Sequence, residues 1–381
     1  MVILLLIVLV VATVFYGILQ LDIPGLWKFF LGVIEMIIVG QVMIKKYKLP
    51  SEMGLILVRS KMGLKAINRL ARKERFWNFF VDAGNGIAYG LSSVLLMRKN
   101  MRWDSLVTGL LTLAFVWKFV LPTAMIFLSE LFGTGMVERV GDQVDVSSIP
   151  IFMAVILMLG GLFLILLLSI IGYGLYVLIE TVSSFLNGAG APPDIEPGGT
   201  LLLPGVNLPF FEGVLALLII LVVHEGAHAI LSRIGRIPIL SSGIVLFGII
   251  PIGAFVEPDE KKLAKLDKVK QTRVLVAGST SNLAASCLFF FLFIGVLWIS
   301  DGLGLLEMAI VGDIARFVSI TLGLAFSLNF IIGAVNLLPL PFFDGYRIVE
   351  LNVRNKKLVK VVMVITLISF LLNFLPWFFS S

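Results

Sequence analysis

Charge is scarce in this sequence. Of its 381 residues only 14% are Asp, Glu, Lys or Arg, where soluble globular chains carry roughly a quarter. With 59% hydrophobic residues and a mean hydropathy of +1.05, a soluble globular protein is excluded. Cysteine is nearly missing. Cys287 stands alone, which rules out an intrachain disulfide and any multi-cysteine metal site. Histidine is almost as rare, and His224 and His228 are the whole supply. The net charge of +6 is dispersed over a few short loops. There it sets membrane topology and gives no reason to expect a nucleic-acid partner.

What the sequence has in abundance is apolar runs. Val2–Gln20, Pro150–Ile179, Val274–Ser300, Phe317–Phe343 and Val361–Ser381 contain no charged residue. Each reaches the roughly 18–20 residues that cross a bilayer as a helix. Spanning segments must satisfy their own backbone groups, so a polytopic α-helical membrane protein is expected. Residues 1–20 lack a basic leading region and a second apolar stretch follows at once, so a retained first helix is expected, not a cleaved signal. Basic residues gather at 45–75, 261–273 and 347–360, which places these loops in the cytoplasm. The stretch 183–210 has no Lys or Arg and is rich in Pro and Gly, and reads as an external loop. The expected organisation is an N-terminal transmembrane region over 1–182 and that loop over 183–210. A core follows over 211–353, then a C-terminal transmembrane helix over 354–381. Segment 79–97, with Asp82, Asn85 and three glycines, spoils a simple count of spans and reads as interfacial or re-entrant.

Both histidines lie in "LVVHEGAHAI", residues 221–230, inside an apolar helix. Four residues apart, they project from one face. This is the HExxH arrangement, in which two imidazoles hold one Zn²⁺ and the intervening Glu225 acts as general base. Three ionisable groups in an apolar segment are costly and point to a site. Catalytic zinc takes three protein ligands and leaves one position open. With no third histidine and no useful cysteine, a carboxylate must serve. Asp344, in "NLLPLPFFDGYRI", ends an uncharged run on the side where the histidine helix ends, while Glu257 is the rival. Between them, "RIPILSSGIVLFGIIPIGAFVEPDE" is rich in Ile and Val but broken by Pro and Gly. It reads as short strands that dip into the membrane after the HExxH helix.

In combination these elements resemble the site-2 protease family of intramembrane metalloproteases. HEGAH lies in a transmembrane helix, and "SSGIVLFGIIPIGAFVEPDE" resembles the family's membrane-embedded strand region. "AGSTSN" resembles its G-x-x-x-N element, with Ser279 where proline is usual, and "NLLPLPFFDG" resembles its N-x-x-P-x-P-x-x-D-G motif. The resemblance covers about 185–350. It implies that His224, His228 and Asp344 bind one zinc ion and that Glu225 is the general base. Asn336 and Asn282 become candidates for holding the substrate backbone or the oxyanion, or for making interhelical hydrogen bonds. Gly278 reads as a helix-packing residue. The implied activity is zinc-dependent hydrolysis of peptide bonds in transmembrane protein substrates, of the regulated intramembrane proteolysis type. The expected site lies toward the cytoplasmic side of a prokaryotic plasma membrane, archaeal or bacterial. The alternative is a non-proteolytic membrane metal-binding protein or transporter.

Overall fold

The computed structural model describes residues 2–23, 25–52, 54–60, 62–132, 151–186, 195–200, 202, 204–205 and 207–378. Among these residues six helical spans are long and apolar enough to cross a membrane: Glu74–Asn100, Trp103–Phe132, Ile151–Leu186, Phe210–Ile234, Lys268–Gly302 and Ala309–Val335. The chain begins with α1 (Val2–Gln20) and α2 (Gly25–Tyr47), then two short strands, β1 (Ser51–Glu52) and β2 (Leu55–Ser60), and the amphipathic α3 (Met62–Leu70). The first span comprises α4 (Glu74–Tyr89) and α5 (Ser93–Met97), and the second α6 (Trp103–Phe115) and α7 (Leu121–Phe132), joined by a π-helical turn. The third is α8 (Ile151–Leu186), which runs four residues into the stretch read from sequence as the loop 183–210. Much of the remainder of that loop lies outside the described residues.

The core region follows. Helix α9 (Phe210–Ile234) leads into a hairpin of β3 (Ile239–Phe247) and β4 (Ile250–Pro258). After the short α10 (Glu260–Leu263) come α11 (Lys268–Gly302), α12 (Ala309–Val335), α13 (Asp344–Asn352) and α14 (Lys356–Leu372). The last is only 17 residues long and passes into a turn at Leu375–Phe378.

Segment 79–97 is an interrupted helix, not a re-entrant loop. Its break is at Gly90, which has φ +56° and lies against Gly161 of α8, itself at φ +62°. A Cβ on Gly90 would stand 2.8 Å from the Gly161 nitrogen, and one on Gly161 would stand 2.6 Å from the Gly90 nitrogen. Both helices break where they cross, and only glycine satisfies both the backbone angle and the approach. The polar residues that spoil the count of spans are buried. Asp82 is fully buried and accepts two 2.8 Å hydrogen bonds from the Arg273 guanidinium at the start of α11. Such a paired geometry is what makes a buried charge tolerable, and removing one partner costs about 3–5 kcal/mol.

The four strands form one antiparallel sheet in the order β1-β2-β3-β4. The register pairs Ile56 with Leu246, Val58 with Ile244 and Ser60 with Ser242. Residues within 1–182 thus complete a sheet whose other half follows the histidine helix. β4 is left at the edge, packed beside α9. On the far side α7, α11 and α12 meet through phenylalanines, with Phe326 tilted on Phe293 at 5.1 Å between ring centroids and Phe127 edge-on to Phe293 at 5.4 Å. These contacts hold α11 and α12 against each other.

Candidate metal centre

Helix α9 carries His224 and His228 on one face, one turn apart, and α11 crosses that face. Three positions of α11 spaced by four residues meet the imidazoles: Val274, Gly278 and Asn282. The Nδ1–H of His228 donates to the Val274 carbonyl at 2.7 Å. A backbone carbonyl only accepts, so the proton sits on Nδ1 and the Nε2 lone pair is free. Nε2 of His228 stands 3.1 Å from Nε2 of His224. The Asn282 amide reaches Nδ1 of His224 at 3.2 Å. Gly278 lies between, and a Cβ there would stand 2.5 Å from Nε2 of both rings. What reads from sequence as packing is clearance for the two imidazoles.

The third group comes from a loop. α12 ends at Val335, and the chain turns through Pro339 and Pro341 to Asp344, the first residue of α13. The amide of Gly345 donates to the carbonyl of Asn336 at 2.8 Å, which closes the loop on itself. A Cβ on Gly345 would overlap the Leu337 carbonyl, so the closure requires glycine. Within the loop Phe342 adopts φ +73° with its ring fully exposed. For a bulky residue that is a strained conformation, and such strain is found where the surrounding structure overrides it.

The outcome is that Oδ2 of Asp344 stands 3.3 Å from Nε2 of His224 and 3.1 Å from Nε2 of His228. Zinc bonds of about 2.0 Å in a tetrahedron require ligand-to-ligand edges of about 3.3 Å. The three observed edges fit that requirement. Among the described residues this is the one cluster of His, Cys, Asp or Glu able to hold a metal ion. Burial pushes the Asp344 carboxyl upward, but the adjacent imidazoles outweigh it and hold the group below the usual carboxylate range.

Glu257 lies elsewhere. About half exposed, it accepts from the Ser241 hydroxyl across the hairpin and pairs with Arg59 at 3.8 Å. Glu225 is half-buried between the two histidines in sequence, and its carboxylate makes no hydrogen bond or ion pair with any described residue. Asn336 contributes its carbonyl to the loop, while no hydrogen bond links its side chain to the described residues. Ser279, in place of the usual proline, is buried within an unbroken α11. Sequence reasoning missed the Val274 carbonyl altogether, since a backbone oxygen leaves no trace in residue identity.

Comparison with known proteins bears on this region. Residues 212–376 match the family model of Peptidase family M50. An uncharacterized protein of Methanocaldococcus jannaschii is 36% identical over 157 residues, which is 40% of this chain and 38% of that relative's length. No solved structure matches. The matched residues contain the histidine helix, the α11 stripe and the Asp344 loop, so the site lies wholly within the part of the chain that is similar to Peptidase family M50, the site-2 protease family.

Proposed function

We propose that the protein is an intramembrane zinc endopeptidase that hydrolyses peptide bonds in transmembrane protein substrates. The observation that carries this reading is the triangle of His224, His228 and Asp344, with edges of 3.1–3.3 Å and Glu225 on the same helix as two of its corners. When bound there, zinc supplies Lewis acidity, both to a scissile carbonyl and to a water. The remaining work belongs to the chain. Glu225, with no competing partner among the described residues, takes a proton from the attacking water and returns it to the leaving amine. The open edge of β4 beside α9 receives an unwound substrate segment as an added strand, whose amides are then presented in extended form. The uncommitted Asn336 amide offers a donor for the substrate backbone or the developing oxyanion. We place the site toward the cytoplasmic side of a prokaryotic plasma membrane. Both ends of the β3–β4 hairpin abut basic loops, and water enters from there.

The test is Glu225→Gln in purified protein, assayed with a transmembrane peptide and with a metal determination. Zinc content should stay at the native level while cleavage falls by at least about 100-fold. Cleavage at the native rate would remove Glu225 from the mechanism. Zinc flux through proteoliposomes with no cleavage of any transmembrane peptide would favour the transporter alternative.

A further inference from the structure

The two histidines differ in what faces their outer nitrogens. His228 faces a carbonyl, which has one way to bond. His224 faces the Asn282 amide, which has two. Nδ2 of Asn282 stands 3.2 Å from Nδ1 of His224, while Oδ1 is buried and has no partner among the described residues. With Nδ2 donating, Nδ1 of His224 is the acceptor and the ring proton sits on Nε2. From there it can bond to Oδ2 of Asp344 at 3.3 Å. That arrangement ties the imidazole to the carboxylate. It also blocks the nitrogen that a metal needs. A half-turn of the amide exchanges its two ends and puts Oδ1 against Nδ1. The ring proton then belongs on Nδ1, the orphaned oxygen gains its partner, and Nε2 is free.

We infer that Asn282 is a positioning residue that selects the tautomer of His224, its amide reversing when the site takes up metal. An amide suits this task because it can donate to one tautomer and accept from the other. Asn282 is fully buried, so no water competes for the position. Its place on α11, two turns beyond the Val274 carbonyl, sets the two outer contacts on one rigid stripe. The assignment removes Asn282 from the groups free to hold substrate or oxyanion. It rests on the metal-site reading of His224 and is independent of whether the protein cleaves peptides.

The experiment is a zinc titration against a chromophoric chelator at neutral pH, with the full chain in detergent, for the native protein, Asn282→Asp and Asn282→Leu. Aspartate keeps the acceptor and the shape but loses the donor. Leucine loses both. The expected result is that Asn282→Asp retains native affinity or exceeds it, while Asn282→Leu weakens binding by about 10–100-fold, the usual cost of losing the outer partner of a ligating histidine. Native affinity in Asn282→Leu would overturn the inference. So would a loss in Asn282→Asp, which would mean that donation from Nδ2 is what the site needs. If the leucine variant does not fold, the aspartate variant decides alone. A native chain that binds no zinc would overturn the metal site itself, and that failure appears before any substitution is made. A chain that binds zinc in this pattern but cleaves nothing would leave the inference standing and remove only the protease reading.

Discussion

The two sides of the metal centre are held by opposite means. The histidine side is built from two long helices that meet at four-residue intervals, with α9 supplying the rings and α11 the carbonyl, the gap and the amide. The aspartate side is a loop of ten residues, closed by one backbone hydrogen bond from Gly345 to Asn336 and strained at Phe342. On the helical side precision comes from periodicity, and an error in one residue is shared along a rigid rod. On the loop side it comes from local closure, and an error stays local. The helical side should therefore fail through direct obstruction of the ligands, and the loop side through loss of aim.

The largest effect is expected at Gly278. Gly278→Ala places a methyl group 2.5 Å from Nε2 of both imidazoles on a helix that cannot yield, and zinc affinity should fall on the order of 100-fold or more. Chelator competition measures it, and near-native affinity would show that the helices can separate. Next is Gly345→Ala, which forces the Leu337 carbonyl away and opens the loop. Zinc affinity should drop on the order of 10–100-fold while the thermal midpoint moves little, because the helical frame does not depend on this closure. A fall in melting temperature as large as the fall in affinity would mean that the loop is part of the frame. The smallest effect sharpens the contrast between the two carboxylates once in competition. Glu257→Ala removes only a half-exposed pair with Arg59 and a hydroxyl contact. Zinc binding should remain within about two-fold of native, with a stability change below about 1 kcal/mol. Loss of zinc in that variant would reopen the identity of the third ligand.

The same division explains what the sequence disclosed. His224 and His228 were legible because a fixed spacing on a helix is a fixed direction in space. The strands at 239–258 were legible because β-branched residues broken by Pro and Gly fit no long helix. Spacing alone left Asp344 and Glu257 open, since both are carboxylates near turns and spacing does not say which loop folds back onto α9, and only the resemblance of NLLPLPFFDG to a family motif singled out Asp344. The clearance at Gly278 was not legible, because a glycine that packs helices and one that spares a ligand look alike in one dimension. The partner of β3 was also hidden. Residues 55–60 lie about 180 positions away from it and carry no signal that they complete a sheet.

The third ligand lies 116 residues beyond His228. During synthesis the histidine pair and its α11 support emerge well before Asp344, so until then a nascent chain holds only two of the three groups able to hold a metal ion. Completion of the site must wait for synthesis to pass Asp344 and for its loop to close. On the proposed function, a centre completed this late would stay silent while the preceding helices are being inserted, and a chain truncated before Asp344 would lack the third corner of the triangle.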